Sequence, residues 1–204
     1  MVLWRHGRTA WNGEHRFQGH SDIALDEVGR AQAARAAVRL ADLRPALVVS
    51  SDLSRARDTA AELSALAGLE VAVDPALRET SGGRWEGQYD TELAADPEYL
   101  AWRAGADVAA GGAETRSQVA TRAAAAVLQA VDQLDDGGLV VIVTHGGTIR
   151  CVLGRLLGLP VAEWRIFGGL ANCCWSVVEE GRSGWRLTEH NAGSLPEAVL
   201  GDDQ

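Results

Sequence analysis

The chain has 204 residues, 47% of them hydrophobic, and a formal net charge of −9 at pH 7. That length and apolar content suit one α/β domain with a substantial core and exclude a disordered chain, while the acidic balance argues against a nucleic-acid partner or an anionic membrane surface. All 19 basic residues are arginine, and the lack of any lysine excludes P-loop, Schiff-base and pyridoxal chemistry.

The first element is Val2-Leu3-Trp4, a short apolar run expected as a buried strand. It is far too short for the apolar core of a signal peptide, and no other run approaches a membrane span. A cytoplasmic location without a membrane partner is therefore expected. Directly behind the run stands Arg5-His6-Gly7-Arg8-Thr9, an imidazole between two guanidiniums. A neutral histidine is a nucleophile and arginines clamp phosphoryl groups, so the string points to transfer through a phosphohistidine. On its own it is a short string that chance also produces.

Asp26 can cap a helix running to about Leu43 through Ala31, Ala34, Val38 and Leu40. Leu47 to Val49 reads as a second strand. Ser51 or Asp52 can cap a helix that stops at Gly68. Val71 to Val73 reads as a third strand. The stretch at about 82–112 is irregular, mixing Trp85, Tyr89, Tyr99 and Trp102 with acids, and is too long for a simple connection. It is expected as a substrate-covering insertion with short helices. An Ala-rich helix from about Glu114 to Leu134 follows, closed by Gly137-Gly138; then come a strand, Leu139 to Val143, and a helix from about Gly147 to Leu157. Cys174 to Val178 and Trp185 to Thr188, joined by residues 179–184, read as a late strand pair, one of which adds an antiparallel strand at the sheet edge. Residues from about Pro196 read as a tail. Cys151, Cys173 and Cys174 are too few and too badly spaced for a disulfide framework or zinc site, and adjacent Cys173 and Cys174 are expected on opposite faces of a strand. The alternation predicts an α/β three-layer sandwich: a mostly parallel sheet with an antiparallel edge strand and helices on both faces. No repeat or linker interrupts 1–204, which reads as a single domain.

In open α/β sheets ligands bind outside the carboxyl ends of the strands. After the four parallel strands come Arg5-His6-Gly7, the segment Ser50 to Arg55, Leu77-Arg78-Glu79, and Thr144-His145-Gly146-Gly147. Two histidines, several arginines and a glutamate thus reach one rim.

These stretches, R-H-G-R-T-A-W-N (5–12), R-F-Q-G-H-S-D (16–22), S-S-D-L-S-R-A-R-D-T-A (50–60), L-R-E-T-S-G-G-R-W-E-G (77–87) and V-T-H-G-G-T-I-R (143–150), resemble the histidine phosphatase superfamily, which includes cofactor-dependent phosphoglycerate mutases. The resemblance implies that His6 is the nucleophile, that Arg5, Arg55 and a protonated His145 hold the non-bridging oxygens, and that Glu79 is the acid and then the base. It implies no metal and no cofactor. His6 must keep its attacking nitrogen unprotonated, so its other ring N–H needs an acceptor, commonly a backbone carbonyl. Backbone N–H groups near Gly146, opening a helix, can add to the anion site. Asn12 and Gln18 become phosphate or substrate contacts by resemblance, and read equally well as loop-stabilising amides. Arg57 should face away from Arg55, Arg8 shapes its loop, and His15, His20 and His190 are expected to be structural or exposed. Trp85 and Trp102 are candidates for the leaving-group pocket. Relatives often carry G-G-E-S before the long helix, where this chain has Gly111-Gly112-Ala113-Glu114-Thr115; the capping role survives a one-residue shift, but a substrate contact inferred from that motif does not carry over.

The preferred reading is a phosphomonoester hydrolase acting on a small phosphorylated metabolite, with room for a homodimer. A mutase must retain a bisphosphate, and the insertion offers only Arg84 and Arg103 against several acids. A non-catalytic binding module is disfavoured because His6, Glu79, His145, Arg5 and Arg55 are all present. The segments G-G-L-A-N-C-C-W and W-R-L-T-E-H-N-A resemble phosphatases of the glucosyl-3-phosphoglycerate type.

Overall fold

A computed structural model describes residues 1–193. In chain order its elements are β1 (Val2–Arg5), α1 (Ala10–Gly13), α2 (Glu27–Asp42), β2 (Leu47–Ser50), α3 (Ser54–Ala67), β3 (Val71–Val73), α4 (Asp90–Leu93), α5 (Pro97–Arg103), α6 (Arg116–Val131), β4 (Val140–Thr144), α7 (Gly146–Leu156), β5 (Trp175–Gly181) and β6 (Gly184–Ala192). The strands form one sheet in the order β3-β2-β4-β1-β5-β6. The first four run parallel, and β5 and β6 are antiparallel. The expected three-layer sandwich is present, with two antiparallel strands at the edge rather than one.

Side chains alternate across a strand, so each short apolar run feeds two cores. Val2 and Trp4 of β1 join Val48, Val141 and Val143 beneath Ala33, Ala36, Ala37 and Leu40 of α2 and Ala56, Ala60 and Leu63 of α3. Leu3, Val49, Val140 and Ile142 face the other way, onto Ala123, Ala126, Val127 and Ala130 of α6 and Ile149, Val152 and Leu153 of α7. The alanine-rich faces let the helices lie close to the sheet. Truncating a fully buried core aromatic such as Trp4 to alanine costs about 3–5 kcal/mol.

The helix ends show where local signals hold and where tertiary contacts override them. Asp26 caps α2, accepting from Gly29 N at 2.7 Å. α3 is not capped by Ser51 or Asp52: Leu53 occupies the cap position without a side-chain bond. Asp22, from a distant loop, instead accepts from Ser54 N and Oγ at 2.7 Å. Ser51 is taken by His145 and Asp52 by Arg78. α3 ends at Gly68, whose φ of 68° is the left-handed stop expected of it. α6 is shorter than the sequence suggests; Thr115 caps it in a reciprocal pair with Gln118. Cys173 and Cys174 precede β5, and Cys173 has φ 57°, so the pair does not straddle a strand.

Within 82–112, Trp85, Leu93, Tyr99, Trp102 and Ala110 pack with Phe17 into a separate aromatic cluster. That cluster ties Leu93 of α4 to Tyr99 and Trp102 of α5. No helix among the described residues is long and apolar enough to cross a membrane. The tail expected from about Pro196 lies outside the described residues.

Candidate active site

β1 and β4 are the central parallel pair, with Arg5 opposite Thr144. His6 N donates to Thr144 O at 3.0 Å. His6 and His145 therefore leave two neighbouring strands side by side, their ring centroids 5.1 Å apart. The turn after β1 must pass close to α2: a Cβ on Gly7 would sit 2.4 Å from Gly29 O. Thr59 Oγ1 accepts from Gly7 N, and Asn172 Nδ2 donates to His6 O.

His6 Nδ1 lies 2.7 Å from Gly7 O. A carbonyl only accepts, so Nδ1 carries the hydrogen and Nε2 carries the lone pair. Burial, then the charges of Arg55 and Arg5, hold this imidazole well below its ordinary pKa. The ring is thus a neutral nucleophile across the physiological range.

Arg55 is fully buried near the start of α3. Its Nη1 donates to Ser21 O and its Nη2 to Gly19 O, at 2.8 and 2.9 Å. One hydrogen on each terminal nitrogen remains for another acceptor. Burial lowers its pKa to about 10, so it stays cationic. Arg5 is tied through Nη1 to Leu170 O, while its Nε is buried without a protein acceptor. Arg57 is exposed, as its position two residues on requires.

His145 departs from expectation. Arg55 Nε donates to its Nδ1 at 3.3 Å, so that nitrogen is unprotonated, and Nε2 lies 2.9 Å from Ser51 Oγ. Burial, then Arg55, His6 and Arg5, push its pKa well below the usual value. The imidazole is neutral, where a protonated ring was expected. It is also fully buried behind Arg55 rather than on the cavity wall.

Glu79 is delivered by the segment after β3 onto the start of α7. Its Oε1 accepts from Thr80 N at 2.8 Å, from Thr148 N at 3.0 Å and from Thr148 Oγ1 at 3.2 Å; among the described residues Oε2 accepts only from Gly147 N, at 3.0 Å. Oε2 is therefore the oxygen with room for a proton. The helix N-terminus expected to bind phosphate is largely spent on this carboxylate, which leaves the Gly146 N–H. Gly147 is fixed by the contact: a Cβ there would lie 2.6 Å from Glu79 Oε1.

Asn12 Oδ1 accepts from Thr9 N at 3.1 Å and from Asn172 Nδ2 at 3.3 Å, and Gln18 Oε1 lies 3.0 Å from Thr9 Oγ1. Both amides thus stabilise their loop through oxygen and line the cavity, which leaves their NH2 groups to donate. The cavity opens to solvent and is walled by Arg5, His6, Arg55, Glu79, Asn12 and Gln18, with Arg16, Phe17, Thr80 and Trp102 at its sides. Trp102 lines it and Trp85 does not, being sealed in the aromatic cluster with its Nε1 on Asp96. His15 is exposed, whereas His20 Nε2 meets Glu79 O at 2.8 Å and so borders the site. Among the described residues no group of three or more His, Cys, Asp or Glu is placed to hold a metal.

Sequence reasoning passed over Arg16. Its Nε donates to Gly87 O and its guanidinium stacks between Trp11 and Tyr89, 4.5 and 4.9 Å from their centroids. Its place at the head of R-F-Q-G-H was the available signal. Ser51 was expected only as a helix cap and Asn172 and Arg122 were given no role, since each acts through backbone or through another side chain.

An unprotonated imidazole nitrogen between two buried guanidiniums, faced by a carboxyl group at the strand ends, is a layout for phosphoryl transfer through a phosphohistidine. The chain belongs to the histidine phosphatase superfamily (branch 1), whose profile matches residues 1–193. It is 44% identical to a glucosyl-3-phosphoglycerate phosphatase of Mycolicibacterium vanbaalenii, over 95% of each chain. It is 37% identical to a probable phosphoglycerate mutase of Erwinia tasmaniensis, over 91% of this chain and 86% of the relative. The structure of a mycobacterial glucosyl-3-phosphoglycerate phosphatase complexed with VO3 superposes with a TM-score of 0.89 at 42% identity, covering 95% of this chain and 98% of that one. The protein is a phosphoric monoester hydrolase of this superfamily, acting through a phosphohistidine; the mutase is the weaker alternative.

Proposed function

We propose that His6 Nε2 attacks the phosphorus of a small phosphate ester, and that Glu79 Oε2 gives its proton to the leaving oxygen as the P–O bond breaks. Glu79 then takes a proton from water, the water oxygen attacks phosphorus, the P–N bond breaks and inorganic phosphate leaves. Arg5 and Arg55 hold the non-bridging oxygens throughout; their unspent N–H groups are charged and fixed before substrate arrives. Asn12, Gln18 and the Gly146 N–H add neutral donors, and His145 braces Arg55 from behind. The observation that carries this reading is the free Nε2 lone pair of His6, fixed by the Nδ1 bond to Gly7 O inside a doubly cationic pocket.

The substrate we propose is a phosphorylated sugar acid of the glucosyl-3-phosphoglycerate type. The 44% identical relative supports it, as does a pocket whose arginine wall suits an acidic phosphate ester. Residues 1–204 act as one domain, with 82–112 covering the cavity through Trp102. A cytoplasmic location, with neither nucleic acid nor membrane as partner, belongs to the same proposal, and a homodimer is compatible with it. Against the mutase, Arg84 is bound to Asp96 and Glu98, and Arg103 stacks on Tyr99. Neither lines the cavity. Comparing kcat/KM for glucosyl-3-phosphoglycerate, 3-phosphoglycerate and phosphoserine tests the assignment. The first should lead; phosphate shuttling on phosphoglycerate with a bisphosphate primer, faster than hydrolysis, would overturn it.

A further inference from the structure

Arg122 projects from the alanine-rich helix α6, and its guanidinium has no hydrogen left over. Nε donates to Glu114 Oε1 at 2.7 Å and Nη2 to Glu114 Oε2 at 2.8 Å. Nη1 donates to Ala76 O and to Arg78 O, both at 2.7 Å, and Nη2 also donates to Glu79 O at 2.8 Å. That uses all five N–H donors of the side chain. Arg122 therefore offers nothing to a phosphate, and it does not line the cavity.

The segment it grips has no sheet partner to satisfy its carbonyls. Each of four consecutive carbonyls is instead held by a side chain from elsewhere. Arg122 takes Ala76, Arg78 and Glu79, Thr144 Oγ1 of β4 takes Leu77 O at 2.6 Å, Thr148 Oγ1 of α7 shares Arg78 O, and His20 Nε2 shares Glu79 O. Glu114 closes the arrangement from the far side. It neutralises Arg122, and its Oε2 accepts from Ser81 N at 3.0 Å. The peptide that carries Glu79 is thus clamped before and after the catalytic side chain, and only one of the clamping residues supplies a three-carbonyl fork.

We propose that Arg122, with Glu114 as its counter-charge, is a positioning residue for proton transfer: it sets where Glu79 Oε2 sits relative to the leaving oxygen. This rests on the assignment of Glu79 as the acid and base. Proton donation depends steeply on geometry, and displacements near 1 Å cost on the order of 100-fold in rate. The fork cannot be reproduced by lysine, whose three donors radiate from one point.

The test compares kcat/KM for an alkyl phosphate, whose leaving oxygen needs a proton, and for p-nitrophenyl phosphate, whose leaving group departs without one. Wild type, Glu79→Gln, Arg122→Met, Arg122→Lys and Glu114→Gln are measured alongside far-UV circular dichroism and thermal midpoints. Arg122→Met should lower the alkyl ester by ~100-fold and the aryl ester by at least ~10-fold less, the pattern of weakened acid catalysis. Arg122→Lys and Glu114→Gln should fall between it and wild type in the same pattern, and they carry the test if Arg122→Met does not fold. Slowed water activation should also produce a burst of p-nitrophenol as phosphoenzyme accumulates. If Glu79→Gln shows the leaving-group dependence while folded Arg122 and Glu114 variants lose both substrates equally, the positioning role is wrong. If Glu79→Gln itself loses both equally, the assignment of Glu79 fails and the inference goes with it.

Discussion

Two imidazoles that must stay neutral inside the fold make stability fall with acid in a calculable way. His6 and His145 both have their pKa driven well below 6.5 by burial first and by neighbouring arginines after it. Unfolded, they titrate near 6.5, so below that pH the unfolded chain binds more protons than the folded one and stability drops as pH is lowered. A ring that cannot protonate in the fold costs at most RT ln(1 + 10^(6.5−pH)): about 1.4 kcal/mol at pH 5.5 against about 0.2 at pH 7. Two rings give a loss of up to about 2.5 kcal/mol, or about 5–10 °C in Tm for a chain of this size. His190, lowered mainly by burial, adds a smaller loss of the same sign. Asp52, Glu86, Asp96 and Glu114 have depressed pKa values and lose their contribution only at lower pH, outside this window. Urea denaturation at pH 7.0 and 5.5, in buffer free of phosphate, measures the loss directly. His145→Asn and His6→Asn should each remove about half of the pH dependence. Equal stability at both pH values, or an undiminished loss in the double variant, would refute the neutral-imidazole description of the site.

Gly147→Ala places a methyl 2.6 Å from Glu79 Oε1, so the carboxylate or the start of α7 must move. Such crowding costs about 1–3 kcal/mol of stability, and the displaced acid should slow alkyl-ester turnover by on the order of 10- to 100-fold. Enzyme kinetics beside a thermal melt checks both; wild-type turnover would show that the Glu79 contacts do not matter. Hydrolysis of p-nitrophenyl phosphate should persist in excess EDTA, because guanidiniums supply the positive charge at the phosphate; loss of activity that returns with an added divalent ion would show otherwise.

Much of the site was legible because its residues follow short apolar runs that form the parallel strands, although β3 lies at the sheet edge with Ala72 and Val73 exposed rather than buried as expected. Arg5 and His6 follow β1, Arg55 opens the helix after β2, Glu79 follows β3 and His145 follows β4. Burial on both faces makes β1, β2 and β4 continuous apolar runs, which kept them visible despite their length. What stayed hidden depends on contacts far apart in the chain. Asp22 caps α3 from 32 residues away, which frees Ser51 for His145. Arg122 was given no role because three of its acceptors are carbonyls, which have no signature in sequence. The charge state of His145 was misjudged for the same reason: proximity to arginines and complete burial, rather than residue type, keep the ring neutral. The short α1 was missed as well; its reciprocal Thr9–Asn12 cap lies inside a stretch dominated by the R-H-G string.

The central claim is that the phosphoryl group passes through His6. Mixing the protein with 32P-labelled substrate, quenching within milliseconds in alkali and mapping the labelled peptide tests it most directly. An alkali-stable, acid-labile phosphate is expected on the Nε2 nitrogen of His6, absent from His6→Ala and longer-lived in Glu79→Gln. An acid-stable adduct, or label that survives in His6→Ala, would contradict it.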